Sequence, residues 1–124
     1  GIYSWYARHE WKPEGNSITE GIGNNHETGN LAGFAPDGQY QITDEEMLPV
    51  LFALVEEEGL VLGGSTGINV CGAIGLAREL GPGHTIVTIL ADSGTRYQSK
   101  LFNPAFLKER NLPAPPWLDE GAKA

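Results

Sequence analysis

Leu60-Val61-Leu62 runs directly into Gly63-Gly64-Ser65-Thr66-Gly67, and a stretch rich in small residues follows as far as Leu80. No other segment limits the fold as much. The three apolar residues read as a strand, the glycines as a tight turn and residues 66–80 as a helix. Gly67, Gly72, Ala73, Gly75 and Ala77 would let that helix approach a sheet closely. A strand that turns straight into a helix aims unpaired amides and the positive helix end at whatever sits above the sheet. Gly81-Pro82-Gly83 stops the helix, and Thr85-Ile86-Val87-Thr88-Ile89-Leu90-Ala91 is almost wholly apolar or β-branched. That is the pattern of a strand buried on both faces of a parallel sheet. Strand, helix and strand in this order predict an α/β fold around a mostly parallel sheet.

Neighbouring segments supply the other elements. Thr43 and Glu46 form a Thr-x-x-Glu capping box, and Leu48, Leu51, Phe52 and Val55 make one apolar helical face ending at Gly59. Pro49 lies inside this helix and predicts a bend or a delayed start. Asn103 as cap and Pro104 as first residue predict a last helix. Leu112-Pro113-Ala114-Pro115-Pro116-Trp117 predicts an extended, non-helical tail pinned by its tryptophan. Residues 1–16 carry Tyr3, Trp5, Tyr6 and Trp11 without a clean period, and such rings need burial partners. Residues 17–20 read as a short strand leading into Gly21-Ile22-Gly23, and residues 24–40 as loop.

At 124 residues the chain is one domain's worth. A fold of this size buries roughly 65% of its unfolded surface, so a real core is expected. Eight Lys and Arg against 16 Asp and Glu give a net charge of −8. That field repels nucleic acid and anionic membrane alike. No apolar run approaches the roughly 20 residues of a membrane span, and no basic-then-apolar leader is seen, so a soluble protein is expected. Cys71 is the single cysteine, which fits a reducing, cytoplasmic setting. His9, His26 and His84 are scattered, so no metal site is expected.

Four chemistries could use the glycine turn. A Walker loop needs a lysine that is absent here, and Gly21-Ile22-Gly23-Asn24-Asn25-His26 lacks the third glycine of a dinucleotide fingerprint. Gly63-Gly64-Ser65-Thr66-Gly67 does match the Gly-x-Ser-x-Gly of a hydrolase elbow. Asp92 could serve as the acid there, but no histidine follows it. A turn that merely joins strand to helix accounts for the same residues. Asp92-Ser93-Gly94 reads as plainly as a solvated turn, and Glu56 to Glu58 as a solvated face.

The fourth reading is a resemblance. Gly63-Gly64-Ser65-Thr66-Gly67, Ala73, Ala77, Gly81-Pro82-Gly83, Ile86-Val87-Thr88-Ile89-Leu90, Asp92-Ser93-Gly94-Thr95-Arg96-Tyr97 and Ser99-Lys100-Leu101-Phe102-Asn103 follow one another as in the C-terminal part of the cysteine synthase family. These are the O-acetylserine sulfhydrylases, pyridoxal 5'-phosphate (PLP) enzymes of β-replacement related to cystathionine β-synthase. Thr19-Glu20-Gly21-Ile22-Gly23 resembles the family's glycine turn beside the substrate. The likeness extends over nearly the whole chain. It implies the large domain of the fold-type II (tryptophan synthase β-like) PLP enzymes, with residues 1–43 as substrate-side turn and loop. Residues 44–118 would then hold the helix and strand units and the tail.

By this resemblance Ser65 is cofactor-binding, its hydroxyl bonding the pyridine nitrogen of PLP. A carboxylate there would keep the nitrogen protonated and make the ring a strong electron sink. A neutral hydroxyl at a positive helix end disfavours the charged ring, and loss of a β-leaving group is favoured. Gly21, Ile22 and Gly23 correspond to the turn that passes close to the substrate, where a side chain would collide. Thr66, Asp92 and Ser93 stand behind these residues, with a supporting or a purely structural part. After the turn the family often continues with an aromatic Phe-Ile-Pro type segment. Here Asn24-Asn25-His26-Glu27-Thr28 follows, which leaves the amino-acid donor open.

No catalytic residue is assigned within the chain. The family's Schiff-base lysine, its Asn-containing substrate loop and its phosphate loop have no counterpart here. Lys12, Lys100, Lys108 and Lys123 all lie outside the lysine's family context. The chain alone is therefore expected to be inactive. It would act with an N-terminal segment of the same enzyme, making L-cysteine from O-acetylserine and sulfide. The family also implies a cytoplasmic homodimer and, in some members, binding of serine acetyltransferase. A cystathionine β-synthase-like or other β-replacing enzyme is the alternative. From another class, a non-catalytic subunit or interaction module could retain the fold.

Overall fold

Thr43 starts the element on which the rest is built. Its amide donates to the Glu46 carboxylate at 2.8 Å, and its hydroxyl accepts from the Glu46 amide at 3.3 Å. The reciprocal capping box forms as the sequence predicts. Helix α2 follows over Asp44–Glu58 and ends at Gly59, whose φ of 68° only a residue without Cβ adopts freely. Pro49 sits inside the helix without delaying its start. In a computed structural model of the chain, residues 1–122 are described; Lys123 lies outside them. These residues group into two units, one of residues 1–17 and 21–41, the other of residues 18–20 and the chain from 42 on.

In the second unit, Met47, Leu48, Leu51 and Phe52 bury the inner face of α2. Tyr97, Leu101 and Leu107 complete the core, with Ile18, Ile42, Leu62, Ile68, Phe102 and Trp117 packed at its edge. Helix α3, Gly64–Leu80, lies against α2. Gly67 makes the approach close, since a Cβ there would come 2.7 Å from Met47 Cγ. The helix begins two residues earlier than the sequence suggests, because Gly63 serves as its cap in an extended conformation. Ser65 is thereby placed in the first helical turn instead of ahead of it.

The expected parallel sheet does not form among the described residues. Their one isolated backbone bridge, Leu62 with Ser93, is antiparallel. Residues 85–91 form neither helix nor strand, and no backbone-to-backbone hydrogen bond involves them among the described residues. A ladder needs a second extended segment alongside, and none of the described residues supplies one. Two carbonyls of the segment are instead met by α3 side chains. Asn69 Nδ2 donates to the Ile89 oxygen at 2.9 Å, and Thr66 Oγ1 to the Ala91 oxygen at 2.6 Å. Val87 is 88%, Ile89 73% and Leu90 48% exposed, so the apolar segment has solvent where a two-sided strand has neighbours.

Beyond this segment a 3₁₀ turn, Gly94–Tyr97, is capped by Ser93, whose hydroxyl accepts from the Thr95 amide. Helix α4, Pro104–Glu109, carries the predicted cap: Asn103 Oδ1 accepts from the amides of Ala105 and Phe106. The expected extended tail is corrected from Pro116, which opens helix α5, Pro116–Ala122. Proline at a helix's first position sacrifices an amide that has no partner there anyway. Trp117 does pin the segment, edge-on to Phe52 at 5.8 Å.

The first unit holds helix α1, Ile2–Arg8, where the sequence shows no clean period. Its rings find local partners: Trp5 stacks on Trp11 at 5.1 Å, and Tyr6 meets Phe34 edge-on at 6.0 Å. Buried Ser4 donates to the Lys12 carbonyl and ties the helix to the chain after it. Residues 18–20 belong to the second unit and bend instead of forming the predicted strand.

Candidate functional site

Ser65 lies in the first turn of α3, between a loop and a 17-residue helix whose dipole points its positive end there. Several contacts hold the turn. The Gly63 amide donates to the Asp92 carbonyl at 3.1 Å, and the Gly94 amide to the Val61 carbonyl at 2.9 Å. Together they fasten the segment before the helix to the one after the extended residues. Thr66, fully buried, fastens the helix itself through its bond to Ala91. Thr19 fills the space over Gly64, where an added Cβ would come 2.5 Å from its Oγ1. Gly64 is therefore a glycine for lack of room, with no unusual backbone angle involved.

Behind the turn sits a polar cluster. Tyr97 is buried, and its hydroxyl donates to Asp92 Oδ2 at 2.6 Å. Arg96 reaches the other oxygen of the same carboxylate at 3.3 Å. The hydrogen bond to Asp92 raises the Tyr97 phenol above its ordinary range, and burial and the aspartate's charge add to the shift. Asp92 has φ 56°, a left-handed conformation that is costly for a side-chain-bearing residue. Nearby, Lys100 and Glu20 form an exposed ion pair. The lysine's hydrogen bond, then its charge, holds the glutamate below the usual carboxylate range.

The structure brings together Ser65, Thr66, Asp92 and Ser93 of the residues singled out in the sequence. Three of them are already engaged. Thr66 bonds Ala91, Asp92 bonds Tyr97 and Arg96, and Ser93 caps the 3₁₀ turn. Half-buried Ser65 makes no side-chain hydrogen bond among the described residues. Its hydroxyl stands at a positive helix end, ready for an acceptor from outside.

Gly21, Ile22 and Gly23 lie in the other unit, continuing the chain from Glu20. Gly21 and Gly23 have φ of 72° and 71°, and a Cβ on either would touch nothing. Within the protein their requirement for glycine is thus conformational. Tyr97, Thr19 and Asn69 escaped the reading of the sequence as parts of this site. Nothing in their spacing signals that they would meet the turn.

Several curated relatives match this chain. It is 44% identical over 96 residues, 77% of its length, to a cysteine synthase of Dictyostelium discoideum. It is 42% identical over 99 residues, 78% of its length, to cysteine synthase 2 of Schizosaccharomyces pombe. The chain belongs to the cysteine synthase family. It spans about a quarter of the length of these relatives, 25% of each. Similarity extends to a cystathionine beta-synthase of Oryctolagus cuniculus, 35% identical over 79% of the chain and 19% of that relative. No family model matches.

Proposed function

We propose that this chain supplies the pyridine-nitrogen serine, Ser65, and the substrate-side turn, Gly21-Ile22-Gly23, of a PLP-dependent cysteine synthase that makes L-cysteine from O-acetylserine and sulfide. One observation carries the reading: half-buried Ser65, at the first turn of α3, makes no side-chain hydrogen bond among the described residues. The residues present suit a pyridine ring. A neutral hydroxyl can donate to an unprotonated ring nitrogen, and the helix end disfavours a positive charge beside it. When bound, PLP supplies the electron sink that lets a β-substituent leave and another add. The chain's part is to hold the ring nitrogen in its neutral form and to keep its own turn rigid. Thr66 and Asp92 support that rigidity through Ala91 and Gly63.

The anchoring lysine and the phosphate loop would come from the family's other three quarters, supplied as an N-terminal segment of the enzyme. The exposed apolar residues 85–91 support the same arrangement, as a strand awaiting the parallel sheet of the fold-type II large domain. Family resemblance alone supports a cytoplasmic homodimer and docking of serine acetyltransferase. The likeness to cystathionine beta-synthase favours, as second reading, a β-replacing enzyme with a larger thiol as nucleophile.

The test combines this chain with the complementary part of the enzyme and PLP. Ser65→Ala should keep the bound cofactor's visible absorbance while slowing turnover, since one hydrogen bond is worth about 0.5–1.5 kcal/mol. Undiminished turnover in the variant would remove Ser65 from the reaction.

A further inference from the structure

The geometry points to Tyr97 as a positioning residue: acting with Asp92, it holds the Gly63–Gly64 turn so that the Ser65 hydroxyl meets the pyridine nitrogen. This rests on the role proposed above for Ser65 and adds how that hydroxyl is held in place.

Tyr97 and Asp92 grip Gly63 from two sides. The Tyr97 ring stands where a side chain at residue 63 would go; a Cβ there would lie 2.7 Å from Tyr97 Cε2 and 3.0 Å from Asp92 Cβ. The Gly63 amide, meanwhile, donates to the Asp92 carbonyl at 3.1 Å. Asp92 can present that carbonyl because its backbone is turned to φ 56°. A non-glycine residue stays in that region only when its surroundings hold it there. The Tyr97 hydroxyl does so with a short, half-buried bond of 2.6 Å to the carboxylate. The Arg96 contact is longer, at 3.3 Å, and exposed. Ser65 is two residues beyond the gripped glycine. A hydrogen bond tolerates only a few tenths of an ångström in donor–acceptor distance, so movement of Gly63 would be felt at the serine hydroxyl.

The measurement is the ¹⁵N chemical shift of ¹⁵N-labelled PLP bound to the complete enzyme that carries these residues, which reads the ring-nitrogen hydrogen bond directly. Ser65→Ala sets the value without that bond. Tyr97→Phe removes only the hydroxyl and should move the signal part of the way to the Ser65→Ala value. Asp92→Ala removes the acceptor but keeps a Cβ at φ 56°, and should shift the signal as Tyr97→Phe does. The double variant should go no further, because the two residues act through one contact. Asp92→Asn keeps an oxygen for the hydroxyl and should restore most of the wild-type shift. Asn103→Ala, which loses the α4 cap at a comparable cost in stability, should leave the signal in place. If Tyr97→Phe fails to fold, Asp92→Ala decides alone. An unmoved signal in Tyr97→Phe and Asp92→Ala, with Ser65→Ala displaced, overturns the grip and leaves the serine's role standing. An equal shift in Asn103→Ala also overturns it, as general loosening. An unmoved signal in Ser65→Ala overturns the serine's role and the grip with it.

Discussion

Replacing Val87 by aspartate should affect association strongly and the chain's own stability hardly at all. Val87 is 88% exposed in an extended segment with no backbone partner among the described residues. A polar substitution at such a site changes folding stability by no more than about 0.5 kcal/mol. If residues 85–91 become an inner strand when the rest of the enzyme is present, the same side chain is then buried. Full burial of a valine is worth about 1.5 kcal/mol or more, and at 88% exposure nearly all of that is still to be gained. A buried carboxylate without a partner adds a cost of its own. The sum is at least about 1.5–3 kcal/mol, or roughly 10- to 150-fold in dissociation constant. The assay labels this chain with a fluorophore and titrates it with the complementary polypeptide by anisotropy, wild type against Val87→Asp. Urea midpoints of the assembled protein give the same comparison independently. Equal dissociation constants for the two chains would show that residues 85–91 stay uncovered in the assembly, and the strand argument would fall.

Gly67→Ala should destabilise the protein by about 1 kcal/mol in urea unfolding, because overpacking against Met47 costs about 1–3 kcal/mol and outweighs a helix-propensity gain near 1. In a Met47→Ala background the same change should become stabilising, and a gain of equal size in both backgrounds would refute the clash. Thr43→Ala should cost about 0.5–2 kcal/mol through loss of the capping box, read in the same experiment. The Tyr97 phenol ionises at higher pH in the folded state than in the unfolded one. Its contribution is therefore complete below about pH 10, the ordinary tyrosine value, and is lost as pH rises through the folded value. Denaturant midpoints across that range should fall for the wild type and fall less for Tyr97→Phe; parallel curves would contradict the assignment.

Local signals in the sequence carried over well wherever one or two turns of chain decide the outcome. The Thr43 box, the Gly59 and Gly81 stops and the Asn103 cap each depend on atoms within four residues, so their residue types reveal them. Pro116 misled because proline forbids a helix interior but suits a helix start, and composition does not distinguish the two positions. Residues 85–91 were legible as an apolar, β-branched run, but the absence of a strand among the described residues was not, since pairing belongs to two segments and the pattern describes one. At the site, the glycines and Ser65 were legible from their order. Tyr97 was not, because its meeting with Gly63 depends on how the 33 intervening positions fold.

The bonds from Asn69 to Ile89 and from Thr66 to Ala91 have a consequence for how residues 85–91 could recruit a neighbour. Along an extended backbone, alternate residues direct their carbonyls to the same edge, so Ile89 and Ala91 share one edge and Thr88 and Leu90 face the other. The side chains of α3 occupy the first edge as a zip fastener's end-stop would. At Ile89 and Ala91 a newcomer adds along the second, where the amides and carbonyls of alternate residues are open. Stacking of many copies requires both edges of every strand. With the first edge capped at Ile89 and Ala91, repeated stacking through this end of the segment is opposed.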